Sequence, residues 1–132
     1  MPRHRPALTP HKPTARSRVS NGSDLLPDVD GRSTIARRYR DIMSALLVDQ
    51  GGADQCSEAL KQLIRRFAAA SVLAEQMEAA LVRGEPTDLA QHALLTSTLV
   101  RLAQRIGIDR RAKDITPSLR DYLEAKTTEA TE

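Results

Sequence analysis

Between Ser57 and Gly84 the chain runs without a proline or glycine, and Leu60, Ile64, Phe67, Ser71, Ala74, Met77 and Leu81 recur in it at spacings of three and four. That near-heptad period puts them on one side of a single helix. A helix of about 26 residues is roughly 39 Å long at 1.5 Å per residue, about the width of a small domain. Everything else in the chain has to be arranged around it. Ala68, Ala69, Ala70, Ala79 and Ala80 interleave the seam, so a neighbouring helix can approach closely.

The flanking segments read as further helices. Ser33 is a good N-cap, and from Thr34 to about Gln50 Ile35, Tyr39, Ile42 and Leu46 form an apolar stripe widened by Met43 and Leu47, with Gly51 and Gly52 as the stop. Gly84 ends the long helix after Arg83. Asp88, with Gln91 three residues on, caps a third helix whose seam is Leu95, Leu99, Leu102 and Ile106. The tight turn between them predicts an antiparallel hairpin. Gly107 suits a left-handed helix terminus, and Pro117 suits the first position of a fourth helix running to about Lys126 with Leu119, Tyr122 and Leu123 on one side.

The fold class expected is all-α: a disordered basic N-terminal tail, one helix, a long antiparallel helical hairpin and a short C-terminal helix. Residues 1–32 are expected to be tail and linker, 33–126 the helical domain, and 127–132 a frayed end. Four of the seven prolines fall in the first thirteen residues, and the first twenty hold five Lys/Arg and no acid, a composition that cannot offset the entropy of ordering a backbone. The seam is too long for the rest of so small a chain to cover, and Phe67 is the only phenylalanine in a chain without tryptophan. Homo-oligomerisation is the expected remedy, with Leu60, Ile64, Phe67, Met77, Leu81, Leu95, Leu99 and Leu102 at the interface.

Charge is segregated. Residues 1–40 hold nine Lys/Arg against three acids, residues 41–100 hold four against eight, and residues 101–113 hold five against one. Basic patches beside an acidic body predict a polyanion on one face and self-association or a protein partner on another. The candidate nucleic-acid contacts are Arg37, Arg38 and Arg40 on the first helix and Arg110, Arg111 and Lys113 on the elbow after the third, with Arg65 and Arg66 a weaker group. Tyr39, Phe67 and Tyr122 are the only aromatic residues, so no base-stacking surface is expected and contact falls on DNA phosphates. The competing reading of the elbow is structural, with Arg110 and Arg111 paired to Asp109, Asp114 or Asp121.

The residues carry no catalytic pattern, so the chain is expected not to be an enzyme. His4 and His11 fall in the tail, and His92 has no Cys or His at metal-ligand spacing, so no cofactor or metal is expected. Gly51-Gly52 leads into Ala53-Asp54 rather than a lysine, which excludes a phosphate-cradling loop. Glu75 and Glu78 read as solvated surface. The lone Cys56 excludes an internal disulfide and reads as a small residue near a helix start. No apolar run reaches membrane-spanning length, and the expectation is a soluble, cytoplasmic protein without membrane contact.

The run Asn21-Gly22-Ser23-Asp24-Leu25-Leu26-Pro27-Asp28-Val29-Asp30-Gly31-Arg32-Ser33, then Arg37-Arg38-Tyr39-Arg40-Asp41, and the distal Gly107-Ile108-Asp109-Arg110-Arg111-Ala112-Lys113-Asp114-Ile115-Thr116-Pro117-Ser118-Leu119 resemble small prophage proteins encoded beside packaging genes, the phage terminase small subunits. The resemblance covers about residues 21–125. It implies a helical protein that assembles into rings through a central hairpin, binds viral DNA, and recruits the large terminase subunit bearing the ATPase and nuclease. No N-terminal helix-turn-helix is evident in this sequence, which leaves charge-driven DNA contact rather than sequence readout as the expectation. The alternative is a helical protein–protein interaction or regulatory module with no nucleic-acid role.

Overall fold

The computed structural model describes residues 17–19, 24–113, 115–116 and 118–129. Four helices follow in order, α1 (Thr34–Asp49), α2 (Glu58–Val82), α3 (Leu89–Ile106) and α4 (Leu119–Glu129), with no strand among the described residues. The chain is all-α.

Local chemistry sets the helix ends. The Ser33 hydroxyl accepts the Ala36 N–H at 3.1 Å, Ser57 accepts that of Leu60 at 3.2 Å, and Asp88 accepts those of Ala90 and Gln91, both at 3.0 Å. Each satisfies donors that the first turn leaves without helical partners. Helices α1 and α2 close alike. Gly51 N–H donates to Val48 O and Gly52 N–H to Leu47 O, while Gly84 N–H donates to Leu81 O and Glu85 N–H to Ala80 O. This paired return of two amides onto the last turn needs a left-handed residue, supplied by Gly51 at φ 92° and Gly84 at φ 76°. Gly107 differs from expectation. Its φ of 97° is positive, but its ψ of 133° is extended, so the chain leaves α3 outward instead of folding back over the last turn.

Helix α2 is the central element, and α1 and α3 each pack on it rather than on one another. Arg38 near the start of α1 meets Glu75 late in α2, and Glu78 on α2 meets His92 near the start of α3. The three helices therefore alternate in direction, bringing the C-terminal ends of α1 and α3 together. Gln50 bridges those ends, its Nε2 donating to Gly107 O at 3.2 Å. The core cluster is Tyr39, Ala68 and Val72, with Leu25, Leu26, Ile42 and Met43 packed around it. Ile64 and Ile106 are the largest side chains wholly inside.

Three expectations need correction. Ile64 is fully enclosed by its own chain, so it belongs to the monomer core and not to an interface between copies. The linker assigned to the tail does not stand apart from the domain, since Leu25 and Leu26 lie against Tyr39, Ala68 and Val72. Two adjacent leucines have no period, which is why periodicity passed over them. Helix α4 starts at Leu119 and continues through Glu129, three residues beyond the expected end. Residues 1–16 and 20–23, Pro117 and Asp114, and the side chains of Asp121 and Tyr122 lie outside the described residues. Among the described residues α4 packs on no other helix, and Leu119 and Leu123 are exposed.

Candidate nucleic-acid interface

The two arginine groups named from the sequence are held at opposite ends of α1. About eleven residues separate Arg38 from Asp49, roughly 16 Å along a helix. Arg38 makes a two-pronged contact with Glu75, Nε to Oε2 at 2.9 Å and the second guanidinium nitrogen to Oε1 at 2.6 Å. The hydrogen bonds to Arg38 hold the Glu75 carboxyl below its ordinary value, and the same contact raises Arg38. Arg40 donates to Gly31 O at 3.0 Å, tying the linker to α1. Arg37 is exposed with no ion-pair partner among the described residues. Only Arg37 of this trio presents an uncommitted head.

The elbow is strapped to α1. Arg110 Nε lies 2.8 Å from Asp49 Oδ1, and the Arg111 N–H donates to Asp49 O at 2.7 Å. A Cβ built on Gly51 would sit 3.5 Å from the Ala112 carbonyl, so the elbow backbone runs directly over the glycine that ends α1. Among the described residues the partner of Arg110 is Asp49; of the nearby acids expected from the sequence, Asp114 and the Asp121 side chain lie outside the described residues. The reason is topological: alternating helix directions bring the end of α1 beside the end of α3, and the unpaired carbonyls there attract cations. The Arg110 side chain is nonetheless 86% exposed, so the pair is a surface contact. Arg111 and Lys113 present exposed heads with no carboxylate partner among the described residues, and Arg105 does the same in the last turn of α3.

The residues expected at an oligomer interface also divide. Leu60, Phe67, Met77, Leu95, Leu99 and Leu102 are half-buried between elements of one chain, and Phe67 with Leu46, Ala103 and Ile106 lines a small cavity of about 160 Å³ where the helix ends meet. Leu81 is 53% exposed and sits at the hairpin tip with Val82 at 87% and Leu89 at 63%. Val82 and Leu89 were not picked out from the sequence. They flank the turn, where no third helix reaches.

Two acids expected to be solvated are engaged, Glu75 by Arg38 and Glu78 by His92 Nε2 at 3.0 Å. Cys56 is buried, its Sγ donating to Gly52 O at 3.3 Å. Among the described residues no helix is long and apolar enough to cross a membrane. No family model, curated protein or solved structure matches the chain.

Proposed function

We propose that the chain is a non-catalytic, oligomeric DNA-packaging adaptor of phage small-terminase type, which holds DNA by its backbone phosphates and recruits the large terminase subunit. The observation that carries this reading is the group of exposed cations at one end of the molecule, Arg105, Arg111 and Lys113, which have no carboxylate partner among the described residues and lie beside the strap to Asp49. A single chain offers few such contacts, and repetition around an oligomer multiplies them. Light scattering on the full chain, with and without a short duplex, tests it. The proposal requires a mass above one chain and co-migration with DNA at low salt, and it fails if a monomer elutes apart from the duplex.

A second reading, a protein–protein interaction module without nucleic acid, is favoured by the uncovered apolar side chains Leu81, Val82 and Leu89 at the hairpin tip. An oligomer that ignores DNA in the same experiment is its signature.

A further inference from the structure

Between the linker, α1 and α2 lies an open cleft of about 700 Å³ that borders the core cluster at Leu26 and Tyr39. Arg65 and Arg66 of α2 form one wall, Tyr39 of α1 forms the floor, and Arg18, Asp24 and Asp28 complete the rim. The side chains are set for an anion. Arg65 is half-buried and has no hydrogen-bond or ion-pair partner among the described residues. Arg66 donates to Gln62 Oε1 at 2.6 Å and Gln62 O at 3.2 Å, neutral acceptors that orient the guanidinium and leave its charge intact. Asp24 is 3.0 Å from Arg18 Nε, which leaves Asp28 as the acid that opposes an incoming anion.

The Tyr39 ring is buried, and burial pushes its hydroxyl above the ordinary tyrosine value while Arg65 and Arg66 pull the other way. The phenol thus keeps its proton at neutral pH and remains a donor. Arg65, half-buried, acts through a lower effective dielectric than the exposed arginines of the elbow, while Arg66 is exposed and is oriented by Gln62.

We propose that this cleft binds a phosphate group of the DNA backbone, with Arg65 and Arg66 supplying charge and Tyr39 a neutral hydrogen bond. The inference rests on the DNA-binding reading for the source of the phosphate, while the phosphate chemistry stands on the cleft alone. Charge-assisted hydrogen bonds of this kind correspond to roughly tenfold in affinity apiece.

The test uses the full chain. Inorganic phosphate is titrated while the Arg65 and Arg66 side-chain N–H resonances are followed, and duplex affinity is measured at one low salt concentration for wild type, Arg65→Gln with Arg66→Gln, Tyr39→Phe and Asp28→Asn. Phosphate should shift the arginine resonances. The double variant should bind DNA roughly a hundredfold more weakly and Tyr39→Phe several-fold more weakly, while Asp28→Asn should bind more tightly. Tyr39→Phe keeps the ring, so its loss at unchanged melting temperature cannot come from misfolding. If wild type binds DNA and both variants bind equally well, the cleft proposal is overturned and the adaptor reading survives. If wild type ignores DNA while phosphate still shifts Arg65, the phosphate site is supported and DNA is overturned as its source. Absence of both effects overturns the whole.

Discussion

Truncation of Ile64 to alanine is the sharpest test of the packing, because Ile64 is wholly enclosed on α2 yet sits in the seam that the sequence assigns to an interface between copies. The change removes three carbons, which at ~0.8 kcal/mol each gives about 2.4 kcal/mol of transfer free energy. A cavity remains at the enclosed site, and the total for such changes is about 2–5 kcal/mol. In a domain of this size each kcal/mol moves the melting temperature by about 4–8 °C, so Ile64→Ala should lower Tm by roughly 10 °C or more. Circular dichroism melts read this directly, with Ile64→Val, expected to cost about 0.5–1.5 kcal/mol, as the graded control. On the proposed oligomeric reading, the mass in solution should not change below the transition, since no copy-to-copy contact is removed. A loss below about 1 kcal/mol, or dissociation without loss of helix, would refute the placement of Ile64 in the monomer core.

Asp88→Ala removes the cap that accepts two amides at the start of α3 and should cost about 0.5–2 kcal/mol in urea titrations, with Asp88→Asn close to neutral. Glu75 is held below its unfolded value by Arg38, so its contribution is complete above the ordinary carboxylate range near pH ~4.3 and disappears as pH falls through the lower folded value. Glu75→Gln should therefore melt below wild type at neutral pH and match it in strong acid, and a gap that widened in acid would reverse the sign of that linkage. Arg110→Ala breaks an exposed pair and should cost no more than about 1 kcal/mol, whereas Gly51→Ala is strained by the positive φ of 92° and should destabilise more. Leu81→Glu together with Val82→Glu should leave the monomer fold intact, because both side chains are already exposed, and should reduce the oligomer mass.

Helix ends were the most legible part of this chain. Ser33, Ser57 and Asp88 accept amides of the first turn within two or three residues, and Gly51 and Gly84 close the last turn, so the chemistry is local and visible in a short window. The α2 period marked an apolar seam, but a period says which side of a helix is covered and not by which chain. That is why the period points Ile64 to an interface although the single chain encloses it completely. Long-range pairs were hidden for the same reason. Arg38 with Glu75, Arg110 with Asp49 and His92 with Glu78 depend on the alternating helix directions, and nothing in the local sequence ranks those acids above nearer ones. The cleft at Arg65 and Arg66 was visible only as a weak basic pair. Its other wall comes from Leu26 and its neighbours, which lack the periodicity that would have marked them as packed.

The most direct measurement is the affinity of the full wild-type chain for duplex DNA as salt is varied. Each phosphate neutralised contributes about −0.9 to the slope of log affinity against log salt, so cations repeated over several copies produce a steep linear fall, the same for unrelated duplex sequences. A steep, sequence-independent slope is the result predicted. No detectable binding at low salt, or an affinity indifferent to salt, would contradict the proposal that this helical protein binds DNA.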